Sequence, residues 1–402
     1  MSDFYQTGVV ATFHRLNYNA YPSLEKELNE IWRRRGIALV LPSLYTEIQG
    51  KALKIIIDEL KSVEYLNQIV VTMGPATHEQ FVEMKKFFSV LPQSTTLIWN
   101  TGPKLKALYD ELKETKLHAG PEGKGRSAWM AYGYVIAEGK SNIITLHDCD
   151  ILTYSKEMLA RLVYPVASRN LDYAFCKGYY SRVTTKMHGR VTRLFVTPLI
   201  RSLMRILGDL PILKYYDSFR YPLAGEFSML TDMANIIRIP SDWGLEVGVL
   251  AEIYRNTSLK RICQAELCDN YEHKHQALSP EDAEKGLHKM VIDIAKSIFR
   301  TLETEGVVFS DAFFKTLRAA YLREAQDTIT RYHGDALINS LEYDPHEEGT
   351  AVELFTNAIN KAGEIILKDP LGPPLIPAWY RVSAAIPDFL QRLLNAVRED
   401  NE

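Results

Sequence analysis

Asp148 and Asp150 stand one residue apart at the end of an apolar run, 141–152. A backbone turn there presents both carboxylates to one cation. Hard divalent ions such as Mg²⁺ or Mn²⁺ take carboxylate and phosphate oxygens together. A cation held in this way bridges a diphosphate and offsets its charge as it departs. The tripeptide DxD is also common in plain polar loops. Its position after a strand-like run favours the metal reading.

Other segments carry chemistry of the same kind. Gly-Pro-Glu-Gly-Lys-Gly-Arg (120–126) precedes a helical stretch, and its glycines permit close backbone approach. A helix N-terminus attracts anions, and Lys124 and Arg126 add charge. The segment does not meet GxxxxGK[ST], so it is not a phosphate-binding P-loop, and a flexible loop with solvated charges is the competing reading. The basic stretch 177–193 suits a small phosphate or carboxylate, or else forms a solvated hairpin. Glu226 and Glu246 each sit beside glycines in apolar surroundings, where sugar hydroxyls would satisfy them, or else salt bridges would hold them as structural residues. His273 follows irregular sequence and can complete a metal site begun by the two aspartates. No cysteine or further histidine lies at zinc-finger spacing.

The elements that must position these residues are legible as periodicity. Apolar runs at 36–45, 67–76, 95–103 and 141–152 alternate with helical spacing at 52–63, 78–91 and 127–139. Four buried strands alternating with helices predict an α/β fold with a parallel sheet covered on both faces. In such sheets ligands lie beyond the carboxyl ends of the strands. Segment 171–275 mixes strands with irregular structure. Ser279 is read as the N-cap of a helix closing at Gly306, followed by helices at 310–330, 350–367 and 377–398. The predicted units are 1–152, 153–278 and 279–402.

Composition narrows the classes further. A net charge of −3 over 402 residues argues against nucleic-acid binding. The start has no signal-peptide pattern, and no apolar run is long enough to span a membrane. Cys149, Cys176, Cys263 and Cys268 show no framework spacing and are read as reduced thiols of a cytoplasmic protein.

The set LPSLYTE (41–47), PEGKGRSAW (121–129), HDCD (147–150), GRVTRLFVTPL (189–199), PLAGE (222–226) and WGLEVG (243–248), followed by His273, resembles retaining GT-A glycosyltransferases of the glucosyl-3-phosphoglycerate synthase group. The resemblance runs from about residue 37 to 278. It implies a Rossmann-like nucleotide-diphospho-sugar fold and a metal-dependent transfer of a hexose to 3-phosphoglycerate, with a role in compatible-solute synthesis. It places Pro42, Leu44, Glu47, Lys124, Asp148 and Cys149 at the donor. Asp150 becomes the direct metal ligand, with Asp148 and His273. Glu226 and Glu246 would hold sugar and acceptor hydroxyls. Gly189, Arg190 and Thr192 would cradle the acceptor, with Lys274 nearby. A homodimer is expected, with the C-terminal helices serving packing and dimer contact. Where many GT-A enzymes read the base with an Asp after the second strand, this chain has Thr72 and Met73. The alternatives are a mannosyl-3-phosphoglycerate synthase using GDP-mannose and a nucleotide-sugar-binding protein without turnover.

Overall fold

The computed structural model describes residues 6, 8–273 and 286–402. Eight strands form one sheet: β1 (Ala11–Phe13), β2 (Ile37–Ser43), β3 (Gln68–Met73), β4 (Thr95–Trp99), β5 (Ile143–Leu146), β6 (Phe175–Tyr179), β7 (Phe227–Leu230) and β8 (Ile262–Glu266). Their order is β1-β8-β6-β7-β5-β2-β3-β4. The four predicted runs are β2 to β5, and they lie side by side, all parallel. Only β7 runs against its neighbours, between β5 and β6.

β2 shows why these runs lack polar alternation. Ile37, Leu39 and Leu41 pack into one hydrophobic cluster, and Ala38 and Val40 pack into the other. Successive side chains point to opposite faces, so a strand covered on both sides must be apolar throughout. Helices Lys51–Leu60, His78–Phe88 and Lys156–Ala167 cover one face. Thr77 starts the second of these with a capping box to Gln80. Helices Pro103–Glu114 and Lys124–Glu138 cover the other face, and the C-terminal helices join the same cluster.

Trp129 and Trp379 stack across that seam, with ring centroids 4.1 Å apart and planes 14° from parallel. Each indole N–H donates to a backbone carbonyl, Trp129 to Pro377 and Trp379 to Trp129. Gly133 lies against the Trp379 ring, where a Cβ would overlap it. Helix Phe389–Asn401 then runs beside β4, the last strand of the sheet. The Asn401 amide donates to Leu97 O at 2.7 Å and accepts from Leu97 N at 3.4 Å.

Several boundaries differ from the sequence reading. The helix expected from residue 127 begins at Lys124, so Lys124 and Arg126 belong to its first turn. Gly125 makes this possible, because it sits against the Pro240 carbonyl where a Cβ would collide. The segment 377–398 is two helices, Trp379–Ala385 and Phe389–Asn401, interrupted at Pro387. Helix Asp311–Ile338 runs beyond residue 330, and helix Pro345–Lys368 begins earlier, capped by the Asp344 carboxylate. Ser279 lies outside the described residues. Among the described residues no helix is long and apolar enough to cross a membrane.

Candidate functional site

A cavity of about 1530 Å³ opens at the carboxyl ends of the parallel strands. Pro42, Ser43 and Leu44 close β2, Gly74 and Pro75 follow β3, Asn100 and Thr101 follow β4, and Asp148 to Asp150 follow β5. β2 pairs with β3 on one side and β5 on the other, so the chain reverses its progress across the sheet there. Crevices at such reversals are where open α/β sheets hold ligands. Pro42, Leu44, Glu47, Lys124, Cys149, Gly189, Arg190, Thr192 and Glu246 all line the wall.

Lys124 is the electrostatic hinge of the floor. Its Nζ lies 2.7 Å from Asp148 and 3.3 Å from Glu246. Burial opposes its charge, but these two carboxylates outweigh burial and raise its pKa. Gly225 makes the approach possible. A Cβ there would come within 2.9 Å of Lys124 Nζ and closer still to the Asp148 carboxylate. β7 pairs antiparallel with β5, so the residues just before its first strand position, Gly225 among them, come beside the carboxyl end of β5.

Asp150 and His273 form the second pair. An isolated bridge joins Ile151 to His273, and the His273 Nδ1 lies 3.3 Å from Asp150 Oδ2. Burial opposes ionisation of Asp150, but His273 and Lys124 lower its pKa. Among the described residues no three His, Cys, Asp or Glu side chains gather closely enough to enclose a metal. An imidazole and a carboxylate side by side, facing a cavity, fit a hard divalent ion that keeps waters and substrate phosphate oxygens as its other ligands. Asp148 is turned to Lys124 instead, one residue away.

Glu226 is placed differently from expectation. It is fully buried and does not line the cavity. Its two oxygens accept from the Tyr180 and Tyr271 hydroxyls, each at 2.7 Å. Burial and the nearby Asp148 charge raise its pKa, against the pull of the two hydroxyls. The tyrosines reach the wall in its stead. Lys177, part of the expected basic patch, is also buried and donates to the Ala224 carbonyl. It lies in β6 and does not line the cavity.

The rest of the basic stretch turns at a short bridge, Val183 to Met187, and enters a π-helical turn, Thr192–Val196. Gly189 adopts φ +74°, a conformation that glycine takes without strain. Thr192 Oγ1 is buried with no hydrogen-bond partner among the described residues. Arg190 donates from Nη2 to Glu347 at 2.8 Å and from Nε to Glu348 at 3.3 Å. These two carboxylates, and the pair Tyr180 and Tyr271, were not anticipated. No local pattern marks Glu347 or Glu348, which arrive from the C-terminal helices. Lys274 lies outside the described residues.

No protein-family model matches the chain. Among curated proteins, the glucosyl-3-phosphoglycerate synthase of Persephonella marina is 49% identical over 401 residues, covering 100% of this chain and 99% of that one. That of Methanococcoides burtonii is 40% identical over 403 residues, covering 99% and 98%. Among solved structures, glucosyl-3-phosphoglycerate synthase from Mycobacterium tuberculosis, in complex with Mn²⁺, UDP-glucose and phosphoglyceric acid, superposes with a TM-score of 0.51 at 20% identity. The match covers 75% of this chain and 89% of that one, and it shows a shared GT-A fold. With near-complete coverage at 49% and 40% identity, the chain belongs to the glucosyl-3-phosphoglycerate synthase family of glycosyltransferases.

Proposed function

We propose that the protein transfers glucose from a nucleotide diphosphate donor to 3-phosphoglycerate, with Mg²⁺ or Mn²⁺ held by Asp150 and His273. The observation that carries this reading is the convergence, in one cavity at the ends of β2 and β5, of that pair with Lys124, Asp148 and Glu246. The related Mycobacterium tuberculosis enzyme has been crystallised with Mn²⁺, UDP-glucose and phosphoglyceric acid, and with Mg²⁺ and UDP, which supports the same ligands here.

Pro42, Leu44, Glu47 and Cys149 bound the donor end, and Lys124 stabilises negative charge as the diphosphate departs. When bound, the divalent ion neutralises the same charge. Glu246 holds a hydroxyl of the sugar or of the acceptor. Gly189, Arg190 and Thr192 hold the acceptor anion, and the buried Thr192 hydroxyl, without a partner among the described residues, supplies a donor. Holding both charged substrates in one orientation supplies much of the rate gain. The acceptor attacks on the face from which the diphosphate leaves, so no protein nucleophile is assigned.

Residues 1–152 act as the donor half, 153–278 as the acceptor half and 279–402 as the helical region. The protein acts in the cytoplasm, as a homodimer, without nucleic-acid or membrane partners.

The test is a donor-by-acceptor panel on purified protein with Mg²⁺ or Mn²⁺, pairing UDP-glucose, GDP-glucose and GDP-mannose with 3-phosphoglycerate. Nucleoside diphosphate release that requires a glucose donor and the acceptor together is expected. Release with GDP-mannose alone would reassign the sugar, and silence with donor still bound would overturn the transferase reading.

A further inference from the structure

We infer that Glu347 is an internal counter-anion for Arg190, which weakens the hold of the site on its acceptor in proportion to the acceptor's charge. This rests on the reading of Arg190 as the acceptor anchor.

The two carboxylates at Arg190 differ in kind. Glu348 is buried, with 7% of its side chain exposed, and it also binds Arg193 at 3.4 Å. It ties two arginines to the helix and is part of the scaffold. Glu347 is 55% exposed, and the hydrogen bond to Arg190 at 2.8 Å is the only one its side chain makes among the described residues. Both line the cavity beside Thr192, whose buried hydroxyl has no hydrogen-bond partner among the described residues. The side chains around Arg190 are thus arranged for an anion, and Glu347 supplies one from within the chain.

Its position is fixed from two directions. Glu347 lies in the first turn of helix Pro345–Lys368, where a carboxylate is favoured. The preceding segment is held to the 183–187 turn, where Glu342 N donates to Thr185 O at 2.8 Å. An incoming acceptor therefore meets a guanidinium already neutralised. It must displace Glu347 or bind beside a like charge. Either costs affinity, and where Glu347 stays in place the cost grows with the acceptor's own charge. Being half in solvent, Glu347 exerts an effect that salt reduces.

The experiment compares wild type, Glu347→Gln, Arg190→Ala and the double variant, measuring KM for acceptor and donor. Glu347→Gln is expected to lower the acceptor KM about two- to fivefold, the range of a partly exposed ion pair. The donor KM should not move. The gain should be larger for 3-phosphoglycerate than for the less charged glycerol 3-phosphate. It should shrink at high salt and vanish in the Arg190→Ala background. An unchanged or raised acceptor KM in Glu347→Gln, with Arg190→Ala raising it strongly, overturns this inference alone. If Arg190→Ala leaves the acceptor KM unmoved, the acceptor assignment falls and the inference falls with it.

Discussion

The rings of Tyr180 and Tyr271 lie 3.8 Å apart and 6° from parallel, and both hydroxyls donate to the same buried carboxylate, Glu226. The stack joins the end of β6 to the segment that delivers His273 two residues later. Glu226 therefore positions the wall of the site from behind. Glu226→Ala leaves two buried hydroxyls without an acceptor and should cost about 2–4 kcal/mol of stability. Denaturant unfolding measures this. Unchanged stability with a selective loss of donor affinity would put Glu226 back in contact with the sugar.

Asp150→Ala removes a carboxylate that is 27% exposed and pairs with His273. The fold should survive, judged by circular dichroism, while metal-dependent release of nucleoside diphosphate falls by at least about a hundredfold, the scale of losing one group that stabilises departing charge. Near-normal turnover would exclude Asp150 as a metal ligand.

Lys177 is buried, and burial depresses its pKa from 10.5 to about 8, against the pull of Glu246, Glu226 and Asp148 and with repulsion from Lys124. Between those two values the unfolded chain holds a proton that the folded chain lacks, so this group makes stability rise with pH across the window. Below pH 8 the cost of burying the ammonium is present in full. Lys177→Met should lose the rise. Parallel stability curves for the two proteins from pH 8 to 10.5 would contradict the buried-ammonium account.

Gly133 sits under the Trp379 ring. Gly133→Ala should force the Trp129 and Trp379 stack apart and destabilise the protein by about 1–3 kcal/mol, the usual cost of overpacking. Thermal melting checks it. A helix propensity gain of about 1 kcal/mol would appear instead if the seam were loose.

The strands were legible because β2, β3 and β5 are almost wholly buried, which leaves them mostly apolar, and because β4 at the sheet edge keeps a short apolar run, Leu97 to Trp99. Asp148 and Asp150 stood out because a strand end is a local feature, and Lys124 because its charge stands among glycines. The orientation of Glu226 was not. Whether a carboxylate faces a cavity or a tyrosine pair depends on β7 running antiparallel, which its four residues do not announce. Glu347 and Glu348 meet Arg190 across more than 150 positions of sequence, and charge pairing at that separation leaves no periodic trace. The helix start at Lys124 was misplaced because its early glycines read as a loop, whereas Gly125 packs against Pro240.

Asn401 gives Leu97 of β4 a donor and an acceptor on the side away from β3. An outer strand with bare amides invites another chain to add to it. Here a side-chain amide imitates one rung of a missing ninth strand, and the helix that carries it shields the rest. Solubility of the native protein thus depends on its last helix as well as on surface charge. Asn401→Ala at high concentration should show that dependence as growth in light scattering before any loss of catalytic competence.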